Sequence, residues 1–196
     1  MISLDEHGPA TMVFIGSQET GCGASAGTTG LFPDLPAVQE RLLHGSADKP
    51  ELIDELLALI GDHDQAHALL CQKASLMVDE MLENALYAAP RGQGGQPLFS
   101  KGESRSLLPT EQIRLRYFFD GSRLALEVRD SWGSLTAAQV FAFLAMNTAS
   151  ADPDPERAGR GLFFMWRLLD QFYVSIRPGT ETIVGGCLQL RPMADY

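Results

Sequence analysis

Three separated groups of polar residues have the types that a nucleotide–magnesium site needs. Glu80 and Asn84 stand four apart in an apolar-periodic stretch, so a helix would set a carboxylate beside an amide on one face. Asp130 closes an alternating run, in phase with Leu124, Leu126 and Val128, so its carboxylate starts on the apolar side of a strand. Gly159-Arg160-Gly161 immediately precedes a helical pattern, where free backbone N–H groups and the positive end of the helix dipole can face phosphates. A carboxylate, an amide carbonyl and a helix start together suit phosphate oxygens and a hard cation. Each also has a plainer reading: helix-border polar residues, an aspartate capping the turn Ser131-Trp132-Gly133, and a tight start to a helix. Their combination is more informative than any member.

Other candidates are poorer. The glycine spacing of Gly16 to Gly23 begins like a phosphate loop, but Cys22 stands where that motif requires lysine and no suitable helix follows directly. His63 and His67 are four apart between acidic neighbours, yet no third metal ligand is indicated, and they read as surface residues at a helix start. No Ser or Cys sits in a nucleophile elbow or a Cys–His motif. Phe141, Phe143, Phe163, Phe164 and Trp166 read as core or interface. Cys22, Cys71 and Cys187 are odd in number and widely spaced, which supports neither a disulfide framework nor a zinc cluster.

The elements that must position the three groups follow from hydrophobic periodicity. The run Met12 to Ile15 reads as a strand, followed by a flexible Gly/Ser/Thr-rich segment over 16–33. Pro36 to His44 predicts a short helix. Pro50 to Ile60 predicts a stronger one, with Leu52, Ile53, Leu56, Leu57 and Ile60 at helical spacing and Gly61 just past its end. The longest helix is expected over Ala66 to Ala89, with Glu80 and Asn84 at the border of its apolar arc. A long loop follows over 90–110. Ile113 to Phe119 and Leu124 to Arg129 then form a hairpin around Asp120-Gly121, and their alternation fits a sheet with one face toward helices and one toward water. Helices are expected over Thr136 to Met146 and Gly161 to Gln171, with final strands Phe172 to Ile176 and Thr182 to Leu190. The long crossover between residues 130 and 172 excludes a simple antiparallel meander. The fold class is therefore an α/β two-layer sandwich, with helices on one face of a mixed β-sheet. Residues 1–33 are read as an N-terminal strand and glycine-rich segment, and residues 34–196 as the principal domain.

Composition sets the outer bounds. Hydrophobic residues make up 45% of the 196 and charged residues 20%, which places the chain among globular proteins rather than disordered ones. The net charge of -10, with no run of Lys or Arg, argues against nucleic acid as a partner. No positive segment followed by a long apolar stretch opens the chain, so no membrane association and a cytoplasmic location are expected.

The same residues carry a family resemblance. Val78-Asp79-Glu80-Met81-Leu82-Glu83-Asn84-Ala85-Leu86 resembles the N box of the histidine-kinase-like (GHKL) ATPase superfamily. Val128-Arg129-Asp130-Ser131-Trp132-Gly133 resembles its G1 box, and Gly159-Arg160-Gly161-Leu162-Phe163-Phe164 its G2 box. Gly179-Thr180 with the strand from Thr182 resembles the closing segment, so the similarity spans about residues 66 to 191 in the family's order. The resemblance implies ATP and Mg²⁺ as cofactors. Asn84 would bind Mg²⁺, and Glu80 would orient or deprotonate the attacking group. Asp130 would accept from the adenine amino group, with Gly133 in the same box. Gly159 and Gly161 would let backbone approach the phosphates, assisted by Arg160. Thr182, or alternatively Thr180, would stand on the adenine side.

Compact size and the lack of a phosphoacceptor-histidine helix bring the chain nearest the anti-sigma-factor serine/threonine kinases. Those imply a sigma factor and an antagonist protein as partners, and leave a homodimer open. The departure lies in the G1-like box, where Trp132 and Ser134 occupy the two positions at which the family's Asp-x-Gly-x-Gly has glycine. That departure favours the alternative, a non-catalytic interaction module on the same fold. An ATP-driven dimeric clamp is a third reading, but the chain lacks room for the usual transducer domain.

Overall fold

The computed structural model describes residues 4–5, 11–16, 38–146 and 160–191, with the backbone alone at 4–5, 11–16, 144–146 and 160. The sheet has seven strands: β1 (Leu4–Asp5), β2 (Thr11–Gly16), β3 (Gln39–Leu43), β4 (Ile113–Phe119), β5 (Arg123–Asp130), β6 (Gln171–Arg177) and β7 (Glu181–Gln189). Their order across the sheet is β1-β2-β6-β7-β5-β4-β3. The helices are α1 (Lys49–Ile60), α2 (Gln65–Glu83), α3 (Ala137–Met146) and α4 (Arg160–Leu168). The expected two-layer α/β sandwich is what forms.

Every adjacent pairing is antiparallel. The sheet is therefore antiparallel throughout its described strands, not mixed as expected. β5 and β6, joined by the crossover through α3 and α4, run parallel, but β7 inserts between them and is antiparallel to both. The strand at Thr11–Gly16 pairs with β6 and so belongs to this same sheet. The glycine-rich segment beyond Gly16 and the turn-rich stretch before Arg160 lie outside the described residues.

Alternation along the strands builds the core. Leu115 and Tyr117 of β4, Leu124, Leu126 and Val128 of β5, and Phe172, Val174 and Ile176 of β6 are buried in one apolar cluster. Leu56 of α1, Met77, Val78 and Leu82 of α2 and Met165 of α4 close that cluster from the helix side. Burial of each such side chain contributes about 1.5–3 kcal/mol, so this interface holds the two layers together. The opposite sheet face is not simply wet. Ala125, Tyr173, Ile183 and Cys187 form a second buried cluster there, and Glu127 is buried with its carboxylate accepting from Arg116 (2.9 Å) and from the Tyr173 hydroxyl.

One element differs in kind from expectation. Residues Gln39–Leu43 form an edge strand rather than part of a helix. They pair with β4 in the register Leu43↔Ile113, and the pairing brings Glu40 against Arg114 (2.9 Å) and Arg116 (3.5 Å). Its local pattern is too short to set a period, and tertiary pairing decides it.

The long helix changes character at its end. α2 stops at Glu83 and Asn84–Ala88 continue as a π-turn, closed by the Ala89 amide donating to the Asn84 carbonyl (2.8 Å). The N-cap is Asp64, whose side chain accepts from the His67 amide (2.9 Å) and meets the His67 ring (2.8 Å). For α3, Thr136 and Gln139 form a reciprocal capping box, Gln139 N to Thr136 Oγ1 at 3.2 Å and Thr136 N to Gln139 Oε1 at 2.9 Å.

Segment 90–110 is irregular, as expected, but it is tied down. Arg105, only 6% exposed, donates to the Leu86 carbonyl of the π-turn and pairs with Glu111 (2.7 Å). Its guanidinium lies 4.0 Å from the centre of the Phe99 ring and 5.3 Å from that of Trp132. The Tyr87 hydroxyl donates to the Glu103 carbonyl (2.6 Å), and Ser46 and Arg105 exchange hydrogen bonds at 2.8 and 2.9 Å. Replacing Arg105 with Met should lower stability by about 2–3 kcal/mol, because charge-assisted bonds to Leu86 and Glu111 are lost together. Chemical denaturation measures this, and limited proteolysis should show new cleavage within 91–110 and not elsewhere.

Candidate functional site

Asp130, Asn84 and Thr182 come from three distant parts of the chain and line one cavity of about 310 Å³. Asp130 arrives there because it is the last residue of β5, on the helix-facing side of the pleat, between Ile113 of β4 and Thr182 of β7. Thr182 faces the same way because the register sets it directly opposite Asp130. Thr180, the alternative at this position, sits in the exposed turn between β6 and β7, with its hydroxyl 3.5 Å from the Pro178 carbonyl. Asn84 reaches the cavity from the first residue of the π-turn, a local widening of the helix often found at functional sites. The apolar walls are Met81, Ala85, Val128, Leu162 and Met165.

The polar groups of this cavity are incompletely satisfied. Thr182 Oγ1 and Asn84 Nδ2 are buried without a hydrogen-bond partner. Asp130 Oδ1 accepts from the Trp132 amide (2.9 Å) and more distantly from that of Gly133 (3.4 Å). Burial nevertheless pushes the Asp130 carboxyl up to about 6, against the pull of the backbone amides of Trp132, Gly133 and Thr182, with nearby Glu181 adding to the rise. Buried polar atoms are normally paired, so two orphans and a raised carboxyl in one cavity mark it as a place for a ligand with donors and acceptors.

Glu80 and Asn84 converge on one residue. Both approach Gly161 at the start of α4 so closely that a β-carbon there would lie 2.6 Å from Glu80 Oε2 and 2.9 Å from Asn84 Nδ2. Gly161 is therefore needed for close approach between α2 and α4. Arg160 opens α4, and Gly159 lies outside the described residues.

Gly133 is not on the cavity wall among the described lining residues. It sits behind it at φ +56, and a β-carbon there would lie 2.6 Å from Thr180 N and 2.7 Å from Glu181 N. Trp132 is also absent from that wall, because its ring packs toward Arg105. Ser134 does line the cavity, beside Leu135.

Sequence reasoning missed the contribution of segment 90–110. Arg91, Gly95, Gln96 and Pro97 form part of the wall, folded into a small loop by the Arg91↔Pro97 bridge. No local pattern marks them, since they reach the cavity only through the tertiary anchoring at Arg105. No group of three or more His, Cys, Asp and Glu among the described residues could hold a metal by itself. No helix among the described residues is long and apolar enough to cross a membrane. The sequence matches no protein-family model and no curated protein.

Two substitutions separate a ligand site from a packing defect. Asp130 is more basic folded than the ordinary 3.8 of an aspartate, so the folded state binds the extra proton. Its contribution is complete below pH 4 and is lost as pH rises through about 6, a loss of about 3 kcal/mol. Asp130→Asn should therefore be more stable than wild type by about 2–3 kcal/mol at pH 7.5, with the gain vanishing near pH 4 in denaturation midpoints. Thr182→Val should leave stability unchanged or slightly raised, since it removes an unpaired buried hydroxyl. A clear loss of stability in Thr182→Val would mean the hydroxyl has a structural partner.

Proposed function

We propose that this cavity binds an adenine nucleotide with Mg²⁺. The chain would then act as a cytoplasmic ATP-dependent regulator of the anti-sigma-factor serine/threonine kinase type, passing the γ-phosphate to a partner protein. The observation that carries the reading is the convergence of Asn84, Asp130 and Thr182 on one cavity with two unpaired polar atoms. These residues belong to the stretches that resemble the N box, the G1 box and the closing segment.

Asp130 and Thr182 offer an acceptor and a hydroxyl side by side, as a purine edge requires. The residues also fit a magnesium ion. Asn84 offers an amide oxygen, as Mg²⁺ is commonly held by one or two protein oxygens plus phosphates, while its unpaired Nδ2 is a donor suited to a phosphate oxygen. When bound, the ion would neutralise phosphate charge. Glu80, beside Asn84, would orient the attacking hydroxyl. A sigma factor and an antagonist protein are the partners that this reading brings with it.

A second reading, a binding-only interaction module, is favoured by the closeness of Gly161 to Glu80 and Asn84, which leaves little room between them for phosphates.

Calorimetric titration with ATP and ADP, with and without Mg²⁺, tests the proposal. The expected result is saturable, Mg²⁺-strengthened ATP binding, with Asn84→Ala losing about tenfold of the Mg²⁺-dependent affinity, or about 1.4 kcal/mol. An unchanged affinity in Asn84→Ala would remove its metal role. Folded protein that binds no nucleotide would transfer the case to the interaction module, and ATP binding without phosphate transfer to candidate antagonists would remove the kinase activity alone.

A further inference from the structure

We infer that segment 90–110 presents Lys101 as the cation that meets the phosphates of the nucleotide beside Glu80 and Asn84. The inference rests on the nucleotide reading and gives the segment a role that the family resemblance does not supply.

The need for a cation is electrostatic. The cavity holds the buried carboxyl of Asp130, and Glu80, against Gly161 together with the cavity-lining Asn84, stands next to it. A polyphosphate entering beside Glu80 meets like charge in a partly buried setting, where such repulsion is strong. Among the described lining residues, Arg91 carries the positive charge, on the small loop closed by the Arg91↔Pro97 bridge. Its guanidinium is engaged, donating to the Gly95 carbonyl at 3.0 Å. Lys101 is placed differently. Its ammonium lies 3.8 Å from Glu80 Oε2, next to the close approach of Glu80, Asn84 and Gly161.

Side-chain packing does not hold Lys101 there. Its side chain is 61% exposed, and an ion pair of that kind contributes little to stability. The backbone of its segment is what is held, through Glu103 on Tyr87 and Arg105 on Leu86, with Gly102 at φ +84 shaping the turn. The segment therefore holds an exposed point charge over Glu80. A lysine stem is long and flexible enough to leave Glu80 for a phosphate oxygen as ligand arrives. In the free protein the ammonium is paired with Glu80, and in the bound protein it pairs with phosphate. The preference that results is for nucleotides over the uncharged nucleoside.

The test is calorimetric titration of the full chain and of Lys101→Gln and Lys101→Arg with ATP, ADP and adenosine at fixed Mg²⁺. Lys101→Gln should weaken ATP about tenfold, as expected for loss of a charge-assisted contact, and leave adenosine unchanged. Lys101→Arg should retain most of the ATP affinity. ATP binding to Lys101→Gln at wild-type strength would overturn the inference, as would an equal loss of ATP and adenosine. Wild-type protein that binds ATP and adenosine equally would overturn it too while leaving the base pocket standing. Wild-type protein that binds neither would remove the nucleotide reading and this inference together.

Discussion

A carboxylate at the closed end of a buried strand imposes the arrangement around it. Asp130 is flanked by β4 and β7 and faces the helix layer, so bulk water cannot solvate its charge. Backbone N–H groups must do so instead. Trp132 and Gly133 can donate to Oδ1 only because the chain turns immediately after Asp130. Gly133 takes that turn in the left-handed region, pressed beneath the β6–β7 turn where a side chain would meet backbone. The same turn brings Ser134 and Leu135 to the cavity wall and Trp132 toward Arg105. Conformation, register and wall composition are thus consequences of accommodating one acid.

Comparison with the other buried charges shows why Asp130 stands apart. Glu127 is as deeply buried on the opposite sheet face, but Arg116 and the Tyr173 hydroxyl meet its two oxygens. Arg105 is buried with a carboxylate, a carbonyl and two aromatic rings around it. Both are paired, and both join segments distant in sequence. Among the described residues, Asp130 is met by backbone amides rather than by a cation, and burial raises its carboxyl. Paired buried charges read as structure, whereas one kept under-compensated at a cost in stability reads as function.

The parts legible in the sequence were those governed by local period. The α1 and α2 stripes, the hairpin around Asp120-Gly121 and the phase of Asp130 with Leu124, Leu126 and Val128 all depend on neighbours within a few residues. The placement of the candidate residues was legible for the same reason: Glu80 and Asn84 are four apart across the end of α2, and Asp130 and Thr182 sit at definite strand positions. Edge strand β3 was not legible, because its identity comes from backbone pairing with Ile113–Tyr117 of β4, about seventy or more positions away. Arg105 was hidden likewise, with partners at Leu86, Glu111 and Trp132 that no window of sequence brings together. Trp132 was marked by the sequence as a departure from glycine, but its position beside Arg105 and off the cavity wall comes from the turn beyond Asp130.

Helix α4 joins the two halves of the site mechanically. Leu162 and Met165 form cavity wall on the Asp130–Thr182 side, and Gly161, one residue earlier, closes the Glu80–Asn84 side. A helix of nine residues moves as a unit, because each turn is bonded to the next. Withdrawing its first turn far enough to admit phosphates would therefore also shift Leu162 and enlarge the space beside Asp130. Conversely, a ligand that fills the Asp130 side presses on Leu162 and Met165 and so bears on the contact of Gly161 with Glu80 and Asn84. Met165 is fully buried in the core cluster, so the middle of α4 is anchored to the sheet and to α2.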